Sequence, residues 1–162
     1  MIVIADTSPL QYLVLIGEDW ILPRLFQRVL APREVWEELT ADGAPRPVRE
    51  WASAHPKWLQ IEQVNPQASS PIPELDSGEE AAIRLAQQID GVSFLLMDDA
   101  KGRKVAGRLG MRTTGTLGVL LSASKAGLLS LRTVLPRLLE TNFYINSDLV
   151  TQLLDDERSR DT

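Results

Sequence analysis

Five acidic residues stand where an apolar run ends or beside an apolar helical stripe: Asp6, Glu38, Glu79, Asp98 and Asp99. Asp6 ends the run Ile2-Val3-Ile4-Ala5, and Asp98-Asp99 ends Phe94-Leu95-Leu96-Met97. Carboxylates gathered from separate elements repel one another. Without cationic side chains among them, the group that neutralises them is a hard divalent cation, Mg²⁺ or Mn²⁺, which prefers carboxylate oxygen. Cations so held hydrolyse phosphate esters by activating water and stabilising charge on the attacked and leaving oxygens. Other chemistries are closed to this composition. The chain has no cysteine, so it has neither disulfides nor a thiolate metal site, and its one histidine, His55, excludes any site built on a histidine pair. His55 precedes a proline in a turn and reads as structural or exposed.

The elements that must position these carboxylates follow from pattern. Ile2 to Ala5 is a continuous apolar run with β-branched residues, as in a strand buried on both faces of a parallel sheet. Thr7-Ser8-Pro9 reads as a helix start, with a hydroxyl N-cap and a proline at the first helical position, and the helix Ser8–Ile16 ends at Gly17. Asp6 then lies at the junction of strand and helix, either as a helix cap or as part of a site at the carboxyl edge of the sheet. A helix over Trp20–Phe26, a strand over Val29–Ala31 and a helix opened by Pro32 come next. In that last helix Val35 and Leu39 share a face with Glu38 beside them, whereas Glu37 points away. Thr40–Pro47 reads as a loop, Val48–Ala54 as a helix, Trp58–Val64 as a strand and Asn65–Pro73 as a long, mobile surface loop.

Leu75-Asp76-Ser77-Gly78-Glu79-Glu80 leads into a helix whose stripe is Glu79, Ala82, Ile83 and Ala86, with Glu80 on the side of Arg84. Phe94–Met97 is the second buried strand. Behind Asp99, Lys101, Lys104 and Arg108 recur at helical spacing, with Arg103 and Arg112 nearby. They form either a solvated basic face or a contact for a phosphate backbone beside the acidic cleft. Arg112–Thr114 reads as a short edge strand, and Gly115-Thr116-Leu117-Gly118 starts the helix Val119–Ala126. That tetrapeptide lacks the lysine and glycine spacing of the nucleotide-binding loops. Helices over Ser130–Glu140 and Ser147–Glu157 follow, and the charged end, Asp155–Thr162, is expected to fray.

The 162 residues, 44% of them hydrophobic, are expected to form a single domain over residues 1–162. No apolar run approaches the roughly 18 residues of a membrane span, so a cytoplasmic, soluble protein with no membrane partner is expected. A net charge of −5 argues against a surface-wide polyanion-binding field and leaves room for a local basic stripe.

Taken together, I-A-D-T-S-P-L-Q-Y-L, A-P-R-E-V-W-E-E-L, L-D-S-G-E-E-A-A-I and F-L-L-M-D-D-A-K-G-R resemble, in order and spacing, the acidic motifs of the PIN-domain nucleases. The G-E, D-D-x-x-G-R and G-T-L-G motifs are most similar to a PIN-like branch related to VapC-type toxins of toxin–antitoxin pairs. The resemblance implies a three-layer α/β/α sandwich with a central, mainly parallel sheet. It also implies a Mg²⁺- or Mn²⁺-dependent ribonuclease with its acidic site on Asp6, Glu38, Glu79 and Asp99 and with Asp98 adjacent, so that the choice of ligand between the two aspartates stays open. An RNA substrate held by Lys101, Arg103, Lys104 and Arg108, an antitoxin protein as partner and a homodimer are the corresponding expectations. Phosphotransfer receivers need a paired acidic start, whereas Asp6 stands alone, and haloacid-dehalogenase phosphatases need a second aspartate that D-T-S-P-L lacks. A non-catalytic PIN-like scaffold that binds a partner protein is the remaining alternative.

Overall fold

Five parallel strands run through the centre of the computed structural model, which describes residues 1–65 and 72–161. They are β1 (Ile2–Ala5), β2 (Arg28–Pro32), β3 (Leu59–Glu62), β4 (Val92–Leu96) and β5 (Thr113–Thr114), in the order β3-β2-β1-β4-β5. Helices α1 (Thr7–Leu15) and α2 (Ile21–Leu25) join β1 to β2, and α3 (Arg33–Thr40) and α4 (Arg46–Ser53) join β2 to β3. Helix α5 (Ser77–Gln88) precedes β4, and α6 (Ala100–Arg108) precedes β5. The chain then continues through α7 (Thr116–Lys125), α8 (Leu131–Leu139) and α9 (Ser147–Asp161).

The apolar runs occupy the middle of the sheet. β1 pairs Val3 with Val29 and Ile4 with Leu30 on one side, and Ile4 with Leu95 and Ala5 with Leu96 on the other. The two-residue period of the pleat divides their side chains between two cores. Val3, Ala5, Val29, Ala31 and Leu96 pack against the layer containing α1, α4, α7 and α8, while Ile4, Leu30, Leu95 and Met97 pack against α5 and α6. The result is an α/β/α sandwich. Successive strands proceed from β1 in one direction, to β2 and β3, and then return to its other side as β4. Connections therefore diverge above the carboxyl ends of β1 and β4, where such sheets leave a crevice.

Several boundaries differ from those read in the sequence. Helix α1 begins at Thr7 with Asp6 in the N-cap position, so Pro9 is its third residue and the Thr7 and Ser8 hydroxyls are not caps. Helix α4 starts at Arg46 and takes in Pro47, because the first turn of a helix needs no N–H there. The expected Asn65–Pro73 loop falls largely outside the described residues. Among the described residues no helix is long and apolar enough to cross a membrane.

The expectation of a frayed end is corrected. Helix α9 continues to Asp161, and Glu157 is buried at 4% exposure. Its carboxylate accepts hydrogen bonds from Ser124 Oγ (2.6 Å), Ser130 Oγ (2.8 Å) and the Leu131 (2.6 Å) and Arg132 (3.3 Å) amides. The Ser130 side chain makes no capping bond to α8, so a glutamate from α9 caps that helix instead. Burial would raise the Glu157 pKa, but the bonds from Ser124, Leu131, Ser130 and Arg132 hold it down to about 2.

Glu157→Ala leaves those donors without an acceptor and is expected to cost about 2–3 kcal/mol at neutral pH, lowering Tm by roughly 4–12 °C. With the folded pKa depressed from 4.5, this stabilisation is complete above the unfolded value and is lost as pH falls towards about 2. Thermal unfolding of both proteins across that range should show the gap closing. A gap that persists unchanged at low pH would mean that the carboxylate charge is not what holds α9.

Candidate active site

The crevice above β1 and β4 is acidic, and each carboxylate reaches it by a different local device. Asp6 follows the last residue of β1, its amide donating to the Leu96 carbonyl at 2.9 Å, which extends the β1–β4 ladder by one rung. Its side chain makes no capping bond to α1 and is 5% exposed. Glu38, on α3, accepts a 2.7 Å hydrogen bond from Thr7 Oγ1, so the first residue of α1 holds the carboxylate of another helix. Gly78 makes room for this approach. A Cβ there would lie 2.5 Å from Glu38 Oε1 and 3.3 Å from Asp6 Oδ1, so both oxygens crowd the same bare stretch of backbone.

Glu79 heads α5 within a capping box. Its amide donates to Asp76 Oδ1 at 2.8 Å, and the Asp76 amide donates to Glu79 Oε1 at 3.1 Å. The adjacent aspartates divide. Asp98 accepts from Ser8 Oγ, the Thr116 amide and Thr116 Oγ1, each at 2.7 Å, and so ties the starts of α1 and α7 to the end of β4. Gly115 leaves the space for this, since a Cβ there would stand 2.6 Å from Asp98 Oδ1. Asp99 caps α6 by accepting from the Gly102 amide at 3.0 Å and lies against Glu79.

Asp6, Glu38, Asp76, Glu79, Asp98 and Asp99 line one open cleft of about 450 Å³, and none of the described residues lining it is cationic. The electrostatic consequence is direct. Burial, opposed by the Thr7 amide and reinforced by Asp76, Glu79 and Glu38, raises the Asp6 pKa from 3.8 to about 7. Burial also raises Glu79, with Asp76 and Asp99 adding to it, from 4.5 to about 7. Glu38 is raised as well, by burial first, although its bond from Thr7 works the other way. Among the described residues no three carboxylates stand close enough to form a finished cation site. The donors nevertheless suit a hard cation, being all oxygen, partly buried and without a counter-charge.

The other acidic and basic residues face elsewhere. Glu37 pairs with Arg33 at 3.3 Å in the open, and Glu80 with Arg84 at 2.8 Å. Lys101, Lys104 and Arg108 are exposed along α6 and do not border the cleft, and Arg108 stands 3.8 Å from Glu74. Arg103 points to another side of α6, into a groove next to the cleft. His55 is exposed and stacks on Trp36 at 5.3 Å. Sequence reasoning missed Asp76, whose signal was the D-x-x-E capping box. It also missed Thr7, Ser8 and Thr116, whose hydroxyls act across the cleft rather than on their own helices.

A family model described as a PIN domain matches residues 2–158. No curated protein matches the chain closely enough to lend it a specific activity. PIN domains are generally nucleases that use divalent metals. Because the match spans nearly every element that shapes the cleft, from β1 to α9, the chain belongs to the PIN-domain family.

Proposed function

We propose that this PIN domain is a Mg²⁺- or Mn²⁺-dependent endoribonuclease that hydrolyses phosphodiester bonds of single-stranded or structured RNA. The observation that carries the reading is the burial of Asp6 and Glu79 at 5% and 6% exposure in a cleft with no cation among its described lining residues. An ion pair would be the ordinary remedy for such burial, and its absence among the described lining residues leaves the position to a cation or a proton. Asp6, Glu38, Glu79 and Asp99 would hold the metal. Asp98 is the weaker ligand of the tandem pair, since its two oxygens already accept three hydrogen bonds. When bound, the metal supplies an activated water and stabilises charge on the attacked phosphate. The chain's own part is positional: Thr7 fixes Glu38, the capping box fixes Glu79, and Asp98 locks the helix starts that frame the cleft.

Resemblance to the VapC-type branch supports the finer setting, a toxin of a toxin–antitoxin pair, acting in the cytoplasm as a homodimer and restrained by an antitoxin protein. Lys101, Lys104 and Arg108 supply a basic face for the RNA backbone on the helix that Asp99 caps.

The decisive test is cleavage of single-stranded RNA with Mn²⁺ and with chelator. Wild type should cleave only with the metal, and Asp6→Asn should lose more than the roughly 10–100-fold that removal of an outer-shell partner costs. Wild-type inertness would favour the non-catalytic scaffold, and a variant as fast as wild type would remove Asp6 from the site.

The raised pKa values give a second, metal-free test. The folded protein keeps protons that the unfolded chain releases, so the stability they confer is complete below about pH 4 and is lost as pH rises through about 7. Each tenfold preference for the neutral form is worth about 1.4 kcal/mol. Metal-free Asp6→Asn should therefore melt several degrees above metal-free wild type at pH 8 and level with it near pH 4. A variant less stable than wild type at pH 8 would contradict the cost of burying the Asp6 charge among other carboxylates.

Replacing Lys101, Lys104 and Arg108 together should weaken RNA binding without sequence preference and reduce the salt dependence by roughly 0.7 log units per lost single-strand contact. Turnover at saturating RNA should change less. An unchanged salt slope would make them a solvated face.

A further inference from the structure

A second groove of about 390 Å³ opens beside the acidic cleft and shares Asp98, Phe143 and Tyr144 with it, so Tyr144 stands where the two meet. This tyrosine is 84% exposed, an unusual position for an aromatic side chain in a segment otherwise well anchored. The anchoring comes from its neighbours: Asn142 Oδ1 accepts from the Tyr12 hydroxyl at 2.6 Å, and Phe143 packs edge-on against Tyr12 with centroids 4.9 Å apart. The ring is thus presented by a fixed segment. Arg103 also lines the groove, the one residue of the α6 basic set among its described lining, oriented by a 3.3 Å hydrogen bond from its Nε to Thr113 Oγ1. Among the described residues it has no acidic partner within ion-pair distance. Leu117 and Leu149 supply apolar wall, and both oxygens of Asp98 are taken up by hydrogen bonds from Ser8 and Thr116.

An exposed aromatic face, a cation and an apolar wall in a volume within the roughly 300–1,000 Å³ of small-ligand sites match one nucleotide: base on ring, phosphate on guanidinium. We propose that this groove is a nucleotide subsite of the nuclease, in which a base of single-stranded RNA flanking the cleaved bond stacks on Tyr144 while its phosphate meets Arg103. This rests on the nuclease reading and adds the path of the strand, which leaves the acidic cleft over Tyr144 towards α6 and α7. Lys101, Lys104 and Arg108 then meet the backbone further along the strand, and Arg103 the phosphate at this base.

The test uses the full chain in an Asp6→Asn background, so that RNA is bound and not consumed, with a short fluorescein-labelled oligouridylate and Mn²⁺. Adding Tyr144→Ala should weaken binding about 5- to 100-fold, while Tyr144→Phe and Tyr144→Trp stay within about twofold of the parent. Adding Arg103→Ala should lower the salt slope by roughly 0.7 log units. Thermal melting should not move with the tyrosine changes, since the ring is exposed. Binding undiminished in Tyr144→Ala, or fully retained by Tyr144→Leu, would overturn the stacking subsite; the latter would leave an apolar contact that needs no ring. An unchanged salt slope in Arg103→Ala would overturn the phosphate contact. Metal-dependent cleavage by the otherwise wild-type chain is scored separately, so the nuclease reading can stand or fall independently of the groove.

Discussion

The burial of Asp6 and Glu79 near one another, with further carboxylates around them and no cation among the described lining residues, is the constraint to which the rest of the molecule answers. Two like charges 4 Å apart cost about 4 kcal/mol at an effective dielectric near 20, a large part of the roughly 5–15 kcal/mol that holds an ordinary domain together. A fold cannot carry several such pairs ionised and unscreened. Burial first, and the neighbouring carboxylates after it, favour the neutral forms up to about pH 7 at both residues. What keeps the groups in place is a set of bonds that do not depend on that charge balance: the β1–β4 ladder under Asp6, the capping box under Glu79 and the Thr7 hydroxyl on Glu38.

The tandem aspartates show how the pleat assigns roles. Side chains alternate along an extended strand and its continuation. Ile4 and Met97 face the α5–α6 core, so Asp6 and Asp99, each two residues further on, emerge on that side, beside Glu79. Leu96 faces the opposite core, and Asp98, two residues after it, turns to α1 and α7. One aspartate of the pair thereby belongs to the acidic cluster and the other to its frame. Identity and adjacency do not make them equivalent.

That distinction marks the limit of what was legible in the chain. The apolar runs Ile2–Ala5 and Phe94–Met97 announced buried parallel strands, and the acids at their ends announced the crevice, because both signals are local. Which face of the sheet α5 would cover is not local, so Asp98 and Asp99 stayed indistinguishable. Thr7 and Ser8 have the spacing of a helix cap, and only the neighbouring elements reveal that their hydroxyls reach Glu38 and Asp98. Asp76 was hidden in the same way, as a cap that is also a wall of the cleft. Glu157 looked like part of a charged tail since its partners, Ser124, Ser130 and Leu131, lie on other helices.

The charge distribution also bears on how an acidic chain can receive a polyanion. With the carboxyl groups of Asp6 and Glu79 raised to about 7, the metal-free cleft is less negative than its composition suggests, but none of its described lining residues is a cation that would attract a phosphate. A cation entering on the proposed reading must displace those protons, so its affinity rises as pH passes through about 7. A cation held by Asp6, Glu38, Glu79 and Asp99 would offset the carboxylate charge and give a phosphate a group to meet. The basic residues lie outside that cluster, on the one helix whose first turn is capped by Asp99. Helix α6 therefore carries an acid at the cleft and cations along its exposed length. On the proposed reading, that separation would let a metal and a phosphate backbone be held side by side without the lysines and arginines neutralising the carboxylates that would hold the metal.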